Sequence, residues 1–268
     1  MRSKFFVFAS LAVTLAQSLA TVSLAENPTF ASATVKSAAS RARLLSAGPP
    51  QNGAYHAAVE IALDPETITY WRQPGEAGSA PEFDFSNSVN VAKVEPSFPA
   101  PKHIDEAGTI VAGYDSRVIL PLKVTPRDPN APTTLNLLLN YASCGKICLP
   151  ARADLSLALP RAGTSPHAAE IADAEQSVPE KITAAEAKKR FTLSRNGTDG
   201  SWRLRYLGPG QAMDLFAEAP APFFIETTRA GDAFELKLFS GDQPATSADA
   251  TLTIVTDAGA FEAPARLE

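Results

Sequence analysis

The apolar residues of this chain recur at every second position, in short runs that proline and glycine close off. Thr134 to Tyr141 sets Leu135, Leu137 and Leu139 on one face. Tyr55 to Leu63 does the same with Tyr55, Ala57, Val59, Ile61 and Leu63, and Asp64-Pro65 ends the run. A period of two is the period of a half-buried strand, whereas a helix would bring its apolar residues round every three or four positions. Ile68–Trp71, Pro81–Phe85, Val89–Phe98, Arg117–Val124 and Ala153–Leu159 read as further strands, and Pro99–Gly113 between them as an irregular stretch. With 15 glycines and 22 prolines as punctuation, the expected fold class is all-β. Many short strands at regular spacing are the mark of an antiparallel sandwich.

The pattern divides the chain. Residues 26–160 form the first expected domain, and its Ala/Ser-rich start, 26–50, is an entry segment ordered only if it docks. Residues 161–188 change to Ala, Glu and polar residues and read as a linker with one or two short helices. Residues 189–268 return to strand patterning, with Asn196-Gly197 and Ala230-Gly231-Asp232 as hairpin turns. They form a second small β-sandwich, with Trp202, Phe223, Phe224, Phe234 and Phe239 as its expected core.

Residues 1–25 stand apart. Arg2 and Lys4 precede an apolar stretch, and Ser23-Leu24-Ala25 offers small residues at the −3 and −1 positions of a cleavage site. This is the layout of a secretory signal peptide. The stretch carries Ser10, Thr14, Gln17 and Ser18, which makes it a poor membrane span. Its removal implies an exported, periplasmic protein with no membrane insertion. Without Arg2 and Lys4 the formal charge of −5 becomes about −7, an acidic balance that argues against nucleic acid as a partner.

An exported chain can oxidise its cysteines, and this one has two, Cys144 and Cys148. Two are too few to scaffold a fold. They are also too few for a metal site without help, and His56, His103 and His167 stand at no useful spacing to them. No metal and no cofactor are expected. The spacing C-x3-C, between two strands, leaves a structural staple and a redox-active pair both open. A loop of about five residues makes a weak staple, roughly 2 kcal/mol on the chain-entropy model against more than 4 for a loop of about 100. Short loops also favour exposure and easier reduction. Lys146, between the two sulfurs, would favour a thiolate.

Three separated blocks then carry a resemblance. Tyr70-Trp71-Arg-Gln-Pro74-Gly75-Glu-Ala-Gly78-Ser-Ala-Pro81-Glu-Phe83 is the first. Gly113-Tyr114 before Val118-Ile-Leu-Pro-Leu122 is the second, and Tyr141-Ala-Ser-Cys144 with Cys148-Leu-Pro150 the third. In this order they resemble the amino-terminal periplasmic domain of the thiol:disulfide interchange protein DsbD family, and still more that of its suppressor-of-copper-sensitivity (ScsB) relatives. The resemblance covers about residues 45–160, and more loosely the second β region.

The resemblance implies an immunoglobulin-like sandwich standing alone as a module. Its cysteine pair would receive electrons from a membrane-embedded thiol carrier and pass them to thioredoxin-like periplasmic oxidoreductases. Cys148 would form the mixed disulfide with a partner and Cys144 would resolve it. Asp105 and Glu106 would be the acidic pair of the loop over the site, with a solvated loop as the alternative, though Ala107 stands where the family's best-known member has an aromatic cap. Tyr114 is a candidate wall of the site, with core packing as the alternative. Tyr70 and Trp71 read as core aromatics, with a partner-facing surface as the alternative. The relatives' name suggests copper, for which two methionines and three histidines offer little. The competing function is a non-enzymatic interaction module whose disulfide is structural.

Overall fold

A computed structural model describes residues 29–75, 77–196, 200–241 and 243–268. The segment expected to be a signal peptide lies outside these residues, as does Gly197 of the expected Asn196-Gly197 turn. Among the described residues no helix is long and apolar enough to cross a membrane.

The first sandwich uses eleven strands: β1 (Val35–Ser37), β2 (Ser40–Ser46), β3 (Tyr55–Leu63), β4 (Ile68–Tyr70), β5 (Glu82–Asp84), β6 (Val91–Pro96), β7 (Lys102–Glu106), β8 (Thr109–Asp115), β9 (Arg117–Pro126), β10 (Thr134–Cys144) and β11 (Cys148–Ala158). One sheet runs β1-β2-β3-β9-β6 and the other β11-β10-β4-β8-β7, with β5 on β10. All these pairings are antiparallel. The alternating residues of β3 and β10 face each other across the core: Tyr55, Ala57, Val59 and Ile61 from one sheet, Leu135, Leu137, Leu139 and Tyr141 from the other. Each fully buried leucine contributes about 1.5–3 kcal/mol, so this face dictates the register.

One conditional expectation is met here and one changes. The entry segment docks, because β2 lays Leu44 into the core while pairing with β3. The stretch expected to be irregular, 99–113, contains the β7–β8 hairpin. β7 is an edge strand with charged, exposed residues, so its apolar alternation is weak. Its turn uses Ala107 and Gly108, both at positive φ, in place of the usual Asn-Gly or Asp-Gly signal.

The linker holds α1 (Ala168–Gln176), β12 (Glu180–Lys181) and α2 (Ala184–Arg190). α1 packs Ile171 on Leu45 and Ala58 of the first sandwich. β12 pairs with the second sandwich, and α2 starts at a capping box of Thr183 and Glu186.

The second sandwich uses β13 (Phe191–Arg195), β14 (Trp202–Tyr206), β15 (Ala212–Glu218), β16 (Phe223–Ala230), β17 (Ala233–Ser240), β18 (Gln243–Pro244), β19 (Ala248–Thr256) and β20 (Gly259–Leu267). Its sheets run β12-β20-β19-β15 and β13-β14-β17-β16, with β18 on β17. Trp202 and Phe234 are core as expected, and Phe223 packs against that core half-buried. Phe224 and Phe239 are not core. They are cross-strand partners whose rings stack 4.9 Å apart, and both stay half-buried.

Candidate redox site

β10 and β11 form one long hairpin whose last registered pair is Cys144 and Cys148. Gly145, Lys146 and Ile147 close it. The two sulfurs are joined as a disulfide. Parity places them. Tyr141 on β10 and Ala151 on β11 point into the core, so Cys144 and Cys148, each three positions away, point to the outer face of the sheet.

The outer face is not bare there. Tyr70 on β4 and Val111 on β8 form a small cluster with Cys144, joined by Ile68, Ile104 and Ala142. Cys144 is 2% exposed as a result, while Cys148 is exposed. The segment after β4 folds back over Tyr70 at Gly78, where an added Cβ would come within 2.6 Å of the tyrosine ring.

The polar contacts converge on the disulfide. Tyr70 Oη lies 3.0 Å from Cys144 Sγ and 3.4 Å from Cys148 Sγ. It is 2.8 Å from both Oε1 and Oε2 of Glu106. Glu106 Oε1 is itself 2.8 Å from Cys148 Sγ. Burial, then the hydrogen bond and charge of Glu106, push the Tyr70 hydroxyl well above its usual range. Tyr70 therefore stays protonated at neutral pH, and it is the donor in these contacts because the disulfide carries no S–H.

Of the residues singled out in the sequence, Cys144, Cys148 and Glu106 come together. Asp105 does not join them. It is exposed on the opposite face of β7, where its Oδ1 accepts from Gly108 N at 2.7 Å and holds the turn. Tyr114 belongs to the main core, its hydroxyl donating to the Pro99 carbonyl at 2.8 Å, so the cluster holds Val111 of β8 in the place foreseen for a tyrosine wall. Lys146 is exposed at the hairpin tip, beside Ile147, which is 68% exposed.

Tyr70 was not foreseen. The signal was present, since Tyr70 and Trp71 are consecutive in an extended segment and cannot both face the same core. Trp71 takes the core, which sends Tyr70 to the other face.

Glu106, Cys144 and Cys148 also bring one ligand atom each to within 4.8 Å of one another. Metals take thiolates, so only the reduced pair would offer ligands, one short of the four of a structural zinc site. The histidines pair with acids: His56 with Glu175, His103 with Asp214 and His167 with Glu170.

Residues 38–160 match the model of the family described as "Thiol:disulfide interchange protein DsbD, N-terminal". Among solved structures, the N-terminal periplasmic domain of ScsB from Proteus mirabilis aligns with 89% of this chain and 98% of its own, at 20% identity and a TM-score of 0.66. That likeness spans both sandwiches and shows a shared fold. A protein of unknown function from Porphyromonas gingivalis W83 aligns at 14% identity with a TM-score of 0.22, covering 86% of this chain and 100% of its own, too weak to bear on the fold. A search of the curated proteins returns no match.

Proposed function

Residues 38–160 belong to the family of DsbD amino-terminal domains, and on that premise we propose that the chain is a periplasmic thiol–disulfide exchange module. It relays reducing equivalents from a membrane-embedded thiol carrier to thioredoxin-like partners through Cys144 and Cys148. The observation that carries the reading is the asymmetry of the disulfide. One sulfur is open to a partner and the other is buried beneath a hydroxyl that can stabilise it as a leaving group.

The chemistry needs no cofactor, because two electrons move with the sulfurs. In loading, a carrier thiolate attacks Cys148 Sγ. The Cys144–Cys148 bond breaks, and Cys144 leaves as a thiolate that takes a hydrogen bond from Tyr70. A second carrier thiolate then attacks the carrier sulfur of the mixed disulfide, releasing Cys148 and leaving the carrier oxidised. In delivery, Glu106 takes the Cys148 thiol proton as that sulfur attacks a partner disulfide. One partner sulfur leaves as a thiolate. Cys144 then attacks Cys148 Sγ, restores the disulfide and releases the second partner thiolate.

The test is the reduction potential of the pair in glutathione buffers, with partner trapping by Cys144→Ser and Cys148→Ser variants. A potential near the periplasmic exchange range, with partners trapped on Cys148, supports the relay. A potential far below about −300 mV with no trapped species leaves the non-enzymatic interaction module standing.

A further inference from the structure

We infer that the second sandwich is a splint for the redox site, holding through Trp71, Arg72 and His103 the two segments that present Tyr70 and Glu106 to the disulfide. The inference rests on the exchange reading above and assigns a role to the second domain within it.

The splint is built on the outer face of β15. Leu215 and Ala217 turn into the second sandwich's own core, so Asp214, Phe216 and Glu218 point away from it. All three meet the first sandwich. Phe216 is 2% exposed and belongs to the first sandwich's core cluster. Its ring lies 5.8 Å from that of Trp71 and stacks on His103 at 4.3 Å. Asp214 Oδ1 is 2.9 Å from His103 Nδ1. Arg72 donates from Nε to Glu218 Oε1 at 2.9 Å and from Nη2 to Glu218 Oε2 at 2.5 Å, and also to Glu262 on β20.

These anchors sit on the two segments that touch the disulfide. Trp71 and Arg72 directly follow Tyr70. His103 is three positions before Glu106 on β7, and the intervening Ile104 packs in the Cys144 cluster. β7 is an edge strand, hydrogen-bonded within its sheet only to β8 among the described residues. Its inward residue His103 stays partly exposed but stacks on Phe216 and pairs with Asp214 of the second sandwich, so the position of Glu106 is referred to β15. An edge strand held on one side opens more readily than a central one. The contacts with β15 oppose that opening.

Loosening the splint at its β7 anchor should act as removing Glu106 does, because Arg72, still held by Glu218 and Glu262, keeps the Tyr70 segment in place. A carboxylate beside Cys148 repels an incoming thiolate and holds the Tyr70 proton. Glu106→Gln should therefore speed reduction of the disulfide by dithiothreitol about three- to tenfold. Phe216→Ala should speed it in the same direction by letting β7 move Glu106 away.

A double-mutant cycle on the full chain decides the matter, read as the rate constant for reduction by dithiothreitol. Glu106→Gln/Phe216→Ala should be no faster than Glu106→Gln alone, because the effect of Phe216 runs through Glu106. Two multiplying effects overturn the splint. So does a folded Phe216→Ala protein whose rate stays within about twofold of the parent. Should Phe216→Ala not fold, as judged by its thermal melting, His103→Gln carries the same cycle with less core lost. A parent disulfide that dithiothreitol does not reduce would instead overturn the exchange reading, which keeps the two failures apart.

Discussion

The hydroxyl of Tyr70 lies 3.0 Å from the sulfur of Cys144, on the face of the sheet that turns away from the main core. The same oxygen is 2.8 Å from both oxygens of Glu106, so one proton serves a carboxylate while the disulfide is intact and can serve a thiolate once it opens.

Tyr70→Phe should keep the packing of the ring and remove only that donor. A hydrogen bond to a charged group is worth about 1.5–3 kcal/mol, so loss of the donor to the leaving Cys144 thiolate should slow reduction by dithiothreitol roughly tenfold or more. Stopped-flow reduction of the two proteins checks this, and equal rates would remove Tyr70 from the chemistry.

The two single-cysteine variants should differ sharply in alkylation. Cys148 is exposed and Cys144 is 2% exposed. Iodoacetamide should label Cys144→Ser at least about tenfold faster than Cys148→Ser, since thiol reactivity follows access as well as thiolate content. The reverse order would make Cys144 the partner-facing sulfur.

Gly78→Ala should act as a remote lesion of the site. The glycine sits at φ +98°, and an added Cβ meets Cε1 of Tyr70 at 2.6 Å and Cβ of Pro74 at 2.9 Å. The ring or the segment must shift, so the variant should lose about 1–2 kcal/mol for the left-handed backbone and slow reduction as Tyr70→Phe does. Urea unfolding and the reduction rate measure the two effects separately.

Acid should weaken the first sandwich through Glu60. Burial would raise its carboxyl, but hydrogen bonds from Arg43 and Arg117 and their charges outweigh that and hold it below its ordinary value of 4.5. A depressed folded-state value gives stability that is fully present above the unfolded value and is lost as pH falls through the folded one. Urea midpoints should therefore fall as pH drops below about 4.5. Glu60→Gln should be less stable at pH 7 by about 1–3 kcal/mol, and its midpoint should fall less with acid. A parallel acid slope in both proteins would remove Glu60 as the source.

Alternation made most of the fold legible. The run Tyr55–Leu63 is β3 to the residue. Each apolar side chain of its alternating face has a core to fill. Alternation weakened where burial did. The edge strand β7 is mostly charged, and β2 shows its pattern only once β3 covers it.

The site was legible in the same proportion. The chain's own residues marked Cys144 and Cys148, since the sequence holds no other cysteines, and the family resemblance marked Glu106. Tyr70 and Tyr114 exchanged places. Each is a tyrosine on a strand of the same sheet, and which one meets the disulfide depends on strand parity. Parity is fixed by the neighbours Trp71 and Val111, not by the residue itself.

The sequence by itself determined what local chemistry determines: strands of period two, turns at glycine and proline, and a cysteine pair at a hairpin tip. Only the tertiary structure decided that Glu106 meets Cys148 across 42 positions of chain, and that Asp214, Phe216 and Glu218 reach back to the first sandwich. A strand's pattern says which side chains share a face. What that face packs against depends on sheet order and domain docking, which are contacts between residues far apart in the chain.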